Sequence, residues 1–197
     1  MDVEGQKNIE SWRNFAIKIA GDYSAGEFNK GDRVKAVFGN WQIEFEILTL
    51  INAAAKPISY SCFTKVSAEF KPLDNFRFSI HRKGFFSNIA KVFGAQDVVI
   101  GYPEFDDAFI IKANDINKAQ MIFAPDNIRD LINAQKKIYL SIIDKTDPFG
   151  KKVPDGKAEL LFVSSEIIKD ENILESLYYL FGLMLDQLAK TGSAMRL

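Results

Sequence analysis

Residues able to do chemistry are few in this chain and thinly spread. Among 197 residues there is one histidine, His81, and one cysteine, Cys62. A structural zinc site asks for four closely spaced Cys or His ligands, and with two such residues in total zinc is nearly excluded. A Cys–His nucleophile pair would need both side chains on one sheet face. The alternation around them puts Cys62 on the inward face of its strand, as a small buried hydrophobe, and His81 on the solvated polar face of its own. No G-x-S-x-G elbow, P-loop, EF-hand loop or glycine-rich dinucleotide loop is present. No catalytic residue, metal ligand or cofactor is assigned.

The most distinctive local feature is an acidic turn within 93–109. Asp97, Glu104, Asp106 and Asp107 could converge on a hard cation or supply a carboxylate pair for acid–base work. The alternative is purely structural: Gly101 permits a tight turn, Pro103 stiffens it, and aspartates cap backbone N–H groups. His81, Arg82 and Lys83 lie next door, ahead of a short helix expected over 85–93. A helix N-terminus beside Arg and Lys can hold an anion; otherwise this is a solvated strand end. The candidate ligand or partner contacts are therefore Asp97, Glu104, Asp106, Asp107, His81 and Arg82.

The elements that must position these groups follow from periodicity. Ile9, Trp12, Ala16, Ile19 and Ala20 recur at helical spacing and predict an amphipathic helix over 6–22. Strands are expected at 33–38, at 41–50 (Trp41, Ile43, Phe45 and Ile47 alternating with polar residues), at 58–70 and at 76–80, forming an antiparallel meander over 33–82 with one solvated or partly covered face. A second strand set over 97–163 takes in 98–100, Phe105 to Lys112, 119–123, 137–143 and 157–163, with a helix from Pro125 to about Gln135. Residues 144–157 read as an exposed polar loop. The longest helix is expected over 170–190, followed by a frayed tail. Strands come in runs, not in alternation with helices. That order predicts an α+β fold: one domain over 1–197, with a mostly antiparallel curved sheet of about nine strands and N-terminal, two short internal and long C-terminal helices packed on it.

Composition sets the outer bounds. The length suits one domain with a core large enough to need no staple. The net charge is −1, from 25 basic and 26 acidic residues, which lacks the basic field that phosphate-backbone binding needs. A single cysteine suits a reducing compartment, and the acidic, polar start lacks a secretory pattern. No apolar run approaches the ~20 residues of a membrane span. These features predict a cytoplasmic protein with neither nucleic acid nor membrane as partner. The chain holds 17 Phe against 6 Tyr and 2 Trp. They either fill a core or line an apolar pocket, because both arrangements read as period-two strands.

The run F-G-x-x-D-V-x-I-G-x-x-x-F-D-x-x-F-x-I-K at 93–112, carried by Gly94, Asp97, Gly101, Phe105, Asp106 and Phe109, resembles a signature of uncharacterised bacterial proteins of the domain-of-unknown-function kind. By order of elements the resemblance spans about 35–145, with Asn114 and the helix at 128–131 continuing it. It implies a bacterial origin and brings no activity or site residues; some proteins of this kind carry membrane segments, which this chain lacks. The leading expectation is a non-enzymatic binding or interaction domain taking an apolar small molecule or a protein partner. The alternatives are a metal-assisted hydrolase using the acidic turn and a homo-oligomeric structural protein.

Overall fold

The computed structural model describes residues 3–26, 31–84 and 96–197. The helix expected over 85–93 lies outside them. In chain order the elements are α1 (Val3–Lys18), β1 (Asp22–Ser24), β2 (Arg33–Phe38), β3 (Trp41–Asn52), β4 (Ser59–Pro72), β5 (Phe78–Arg82), β6 (Gln96–Asp97), α2 (Pro103–Ala108), β7 (Phe109–Ala113), α3 (Ile116–Phe123), α4 (Asp126–Asn133), β8 (Tyr139–Ile143), β9 (Ala158–Ser164), α5 (Glu171–Lys190) and β10 (Ala194–Met195).

Period-two patterning sets the register. Val34, Phe45, Val66, Phe162, Leu140, Ile80 and Ile111 pair side by side across seven strands. All seven are buried. Slipping any one strand by a residue would turn its apolar set outward. The result is an α+β fold on an open, curved antiparallel sheet. Its order is β1-β2-β3-β4-β9-β8-β5-β7-β6, with β10 added on β4.

The helices cover one face of this sheet. Trp12 and Phe15 of α1, Ile122 and Phe123 of α3, Ile128 and Ile132 of α4, and Leu177, Phe181 and Leu188 of α5 join the inward strand residues in one core. The indole of Trp12 donates to the Ile168 carbonyl at 2.9 Å, and that of Trp41 donates to Asp186 on α5 at 2.8 Å. Both aromatics thus bury their rings while satisfying their one polar atom.

Several local expectations are corrected. Helix α1 ends at Lys18, not at 22, because Ala20 turns into the left-handed region (φ 52) and the chain becomes strand β1. At Gly21 a Cβ would lie 2.9 Å from the Lys35 carbonyl oxygen, so the helix-to-strand corner presses directly on β2. The meander stops at β4. The β8–β9 pair enters between β4 and β5, so β5 lies three strands away from its sequence neighbour. The expected strand over 105–112 splits, with helix α2 preceding strand β7. Phe105 and Phe109, four apart, suit a helical turn as well as they suit one face of a strand. Residues 119–123 belong to helix α3, not to a strand, and the Asp115 side chain accepts from the Lys118 amide at its N-cap. Residues 98–100 lie outside the strands. The tail is anchored: Ala194 is buried, and β10 pairs with Lys71 and Pro72.

Candidate functional site

The acidic turn disperses. Asp106 spends both oxygens on its own loop, accepting from the amides of Ile100, Gly101 and Tyr102 at 3.0 Å each. This is the capping role open to an aspartate in a turn. Asp97 is exposed and lies 3.7 Å from Lys112. Glu104 and Asp107 are exposed on α2. Among the described residues no group of three His, Cys, Asp or Glu side chains could hold a metal ion. The carboxylate convergence that a metal-assisted hydrolase requires is not formed.

The neighbouring cations are also structural. Arg82 donates to the Asn133 and Gln135 carbonyls at 2.9 and 3.2 Å, closing the C-terminal end of α4, and its guanidinium sits 4.6 Å from the Phe109 ring centroid. His81 is half-buried on the sheet face away from the helices, not fully solvated. Burial lowers its basicity, Lys112 lowers it further, and Asp97 partly opposes them. Cys62, expected as a buried small hydrophobe, is only half-buried, because it lies on the part of β4 beyond the pairing with β9, and its sulfur is 3.7 Å from the Thr49 hydroxyl.

Sequence reasoning missed a different charged group. On the face opposite the helices, Lys65, Asp147 and Glu159 each have side chains only 2% exposed. The Lys65 ammonium lies 2.7 Å from Asp147 and 3.4 Å from Glu159. Asp147 also accepts from the amides of Phe149 and Lys151 at 2.9 and 2.8 Å. Residues 144–157 are therefore not a wholly exposed loop. They fold back over the sheet, with Val153 buried and the Phe149 ring 5.3 Å from that of Phe63. A second small apolar cluster, centred on Tyr139, Leu161 and Val163, forms beneath them.

One cation shared by two acids leaves this group unevenly satisfied. Burial pushes the Glu159 carboxyl above its ordinary range, with Lys65 and Lys151 only partly offsetting it. Its Oε1 receives no hydrogen bond. Burial alone would lower Lys65, but Glu159 and Asp147 outweigh it and hold the ammonium above its ordinary value. A sequence signal existed: Glu159 stands inside Ala158–Ser164, a strand otherwise almost wholly apolar, where an acid needs a buried partner.

Beside this group is an open cleft of about 710 Å³, whose lining includes Lys35, Glu44, Glu69, Lys151, Lys157 and Glu159. Its charges are largely paired, Lys157 with Glu69 at 2.8 Å and Glu44 with Arg33 at 2.8 Å. Among the described residues no phenylalanine lines it. Among the described residues ten phenylalanines lie buried in the core, Phe15, Phe45, Phe78 and Phe162 among them.

Among the described residues an exposed apolar feature is the far end of the β3–β4 hairpin. β4 pairs with β9 only from Thr64 onward, and β2 pairs with β3 no farther than Glu46. Among the described residues, 48–52 and 59–63 thus form a two-stranded arm, about 17 Å long at ~3.4 Å per residue. Leu50 is 45% exposed, Ile51 54%, Ile58 53% and Tyr60 65%.

No protein-family model matches the chain, and no curated relative matches it. Among solved structures, its fold is similar to the crystal structure of the mycobacterial trehalose monomycolate transport factor A, TtfA. The TM-score is 0.52 at 9% sequence identity, over 93% of each chain. At that identity the likeness concerns the fold alone. Among the described residues no helix is long and apolar enough to cross a membrane.

Proposed function

We propose that this chain is a non-enzymatic binding or interaction domain and that the β3–β4 arm is its contact surface. One observation carries the reading: Leu50, Ile51, Ile58 and Tyr60 are exposed together on a ribbon that projects past its neighbouring strands. Apolar side chains exposed together at one place on the molecule cost solubility and mark interaction sites. Most of the described phenylalanines sit in the core and none of them lines the cleft, which favours a surface partner over an apolar small molecule. The motif at 93–112 supports a bacterial origin, and the lone cysteine supports a cytoplasmic setting. Likeness to a transport factor is compatible with a binding role and supports nothing finer.

The test is a photo-crosslinking residue placed at position 60, with a second placed at exposed Lys190 as control, both expressed in the source cell. Adducts concentrated at position 60, whether to protein or lipid, are the expected result. Labelling at position 60 no greater than at position 190 would remove the arm as contact surface.

A further inference from the structure

Resting on the reading of the arm as a contact surface, we propose that its partner is the interfacial layer of a lipid bilayer. Three features of the arm favour a bilayer over a protein. The first is charge. From Ile47 to Ala68 there is no acidic residue, and between Glu46 and Lys65 the only charged side chain is Lys56, in the turn. Carboxylates are repelled by lipid phosphates and by low dielectric, whereas a lysine at the tip can reach a phosphate while its stem stays among apolar groups.

The second feature is two-sidedness. The register pairs Leu50 with Ser61 and Ile51 with Tyr60. Alternation therefore places Leu50 on one face of the ribbon and Ile51 with Tyr60 on the other. A flat protein surface would bury one face and leave the other in water. A bilayer interface takes up both faces and the turn at once, and Tyr60 has the amphipathic ring suited to headgroup depth.

The third is depth. Among the described residues, the outer edges of 48–52 and 59–63 have no strand partner. Unpaired backbone groups cannot enter the hydrocarbon. They can sit at the interface, where water and headgroups still satisfy them, while the side chains alone enter the acyl boundary. The sequence-based expectation of no membrane partner rested on the lack of a spanning segment, and a surface-seated ribbon needs none.

The experiment is co-sedimentation of the full chain with phosphatidylcholine vesicles, and with vesicles that also contain phosphatidylglycerol. Wild type should pellet with both and more strongly with the anionic set. Leu50→Asp and Ile51→Asp should each reduce binding at least tenfold, since each places a carboxylate on a different face. Lys56→Glu should remove the preference for anionic vesicles. An unchanged melting temperature shows that each variant remains folded. Wild type left in the supernatant with both vesicle types would overturn the proposal, as would binding that survives both aspartate substitutions. A dimer by light scattering that Leu50→Asp or Ile51→Asp dissociates would assign the arm to a second copy of the chain instead. Protein adducts at position 60 without vesicle binding sink the bilayer while leaving the interaction reading intact. No adducts and no vesicle binding sink both.

Discussion

Lys65 forms ion pairs with two buried carboxylates, and its removal should be costly. Lys65→Met keeps the apolar stem but takes from Asp147 and Glu159 the ammonium that pairs with both. Breaking a buried pair from one side typically costs about 3–5 kcal/mol, so a loss of that order in urea unfolding at neutral pH is expected. A change below about 1 kcal/mol would mean that water reaches the cluster. Glu159→Gln acts in the opposite sense. Because folding raises the Glu159 carboxyl, the native state binds its proton more tightly than the unfolded chain does. That contribution is complete below the ordinary glutamate range and is lost as pH rises through the raised native value. The glutamine variant should therefore gain on wild type as pH rises from 4 to 8, measured by melting temperature. A gap that stays constant over that range would show that Glu159 does not titrate differently in the fold.

At the scale of elements, α5 and the end of β2 meet without room to spare. A Cβ at Gly182 would fall 2.2 Å from Cδ1 of Phe38, whose ring already packs at 5.4 Å on Tyr178 and at 6.2 Å on Tyr179. Helix propensity favours Gly182→Ala by about 1 kcal/mol. Overpacking opposes it by roughly 1–3 kcal/mol, and the net effect should be destabilising. Pairing it with Phe38→Leu, which removes the ring, should recover part of the loss; a single variant more stable than wild type would show that Phe38 yields freely. Helix α2 illustrates how local signals compete. Pro103 at its start and Asp106 capping three amides are helix-entry and turn chemistry, and they outrank the strand reading of Phe105 to Lys112. Asp115 does the same for α3. Both caps were visible in the sequence. What was missing was a reason to rank a cap above a short apolar run, because four to eight apolar residues suit a buried strand and a helix equally.

For the whole molecule, the C-terminal segment extends the sheet on β4, and its loss should be felt. Ser193 donates to Asp74 at 2.8 Å, Lys118 pairs with the same carboxylate, and Ala194 and Met195 extend the sheet on β4. Burial pushes Asp74 up, but Lys118, the Phe76 amide and Ser193 outweigh it and hold its carboxyl below the ordinary range. Such a group stabilises the fold above the ordinary aspartate range, and the contribution fades as pH falls through the depressed native value. Ending the chain after Gly192 should cost about 1–3 kcal/mol through lost hydrogen bonds and burial, measured by chemical denaturation at neutral pH. An unchanged midpoint would mean that the tail only rests on the sheet.

Pattern along the chain determined where α5 and the long β3 and β4 run and which of their side chains face inward, except on the arm, where Ile58, Tyr60 and Cys62 share the inward alternation yet the first two are exposed and the third is half-buried. Each of these follows from a period of 2.0 or 3.6, which acts within one element. The α+β class was legible for the same reason, from the order of those elements. What only the tertiary structure decided was adjacency between distant segments. The insertion of β8 and β9 beside β4 brings Glu159 under Lys65. The folding-back of 144–157 turns a polar strand face into a buried one and leaves Asp147 there as counter-ion. The same pairing, ending at Thr64, leaves the apolar end of the hairpin projecting. Local periodicity marks a side chain as pointing out of the sheet, but only the segments arriving from elsewhere determine whether it meets water, a carboxylate or a partner.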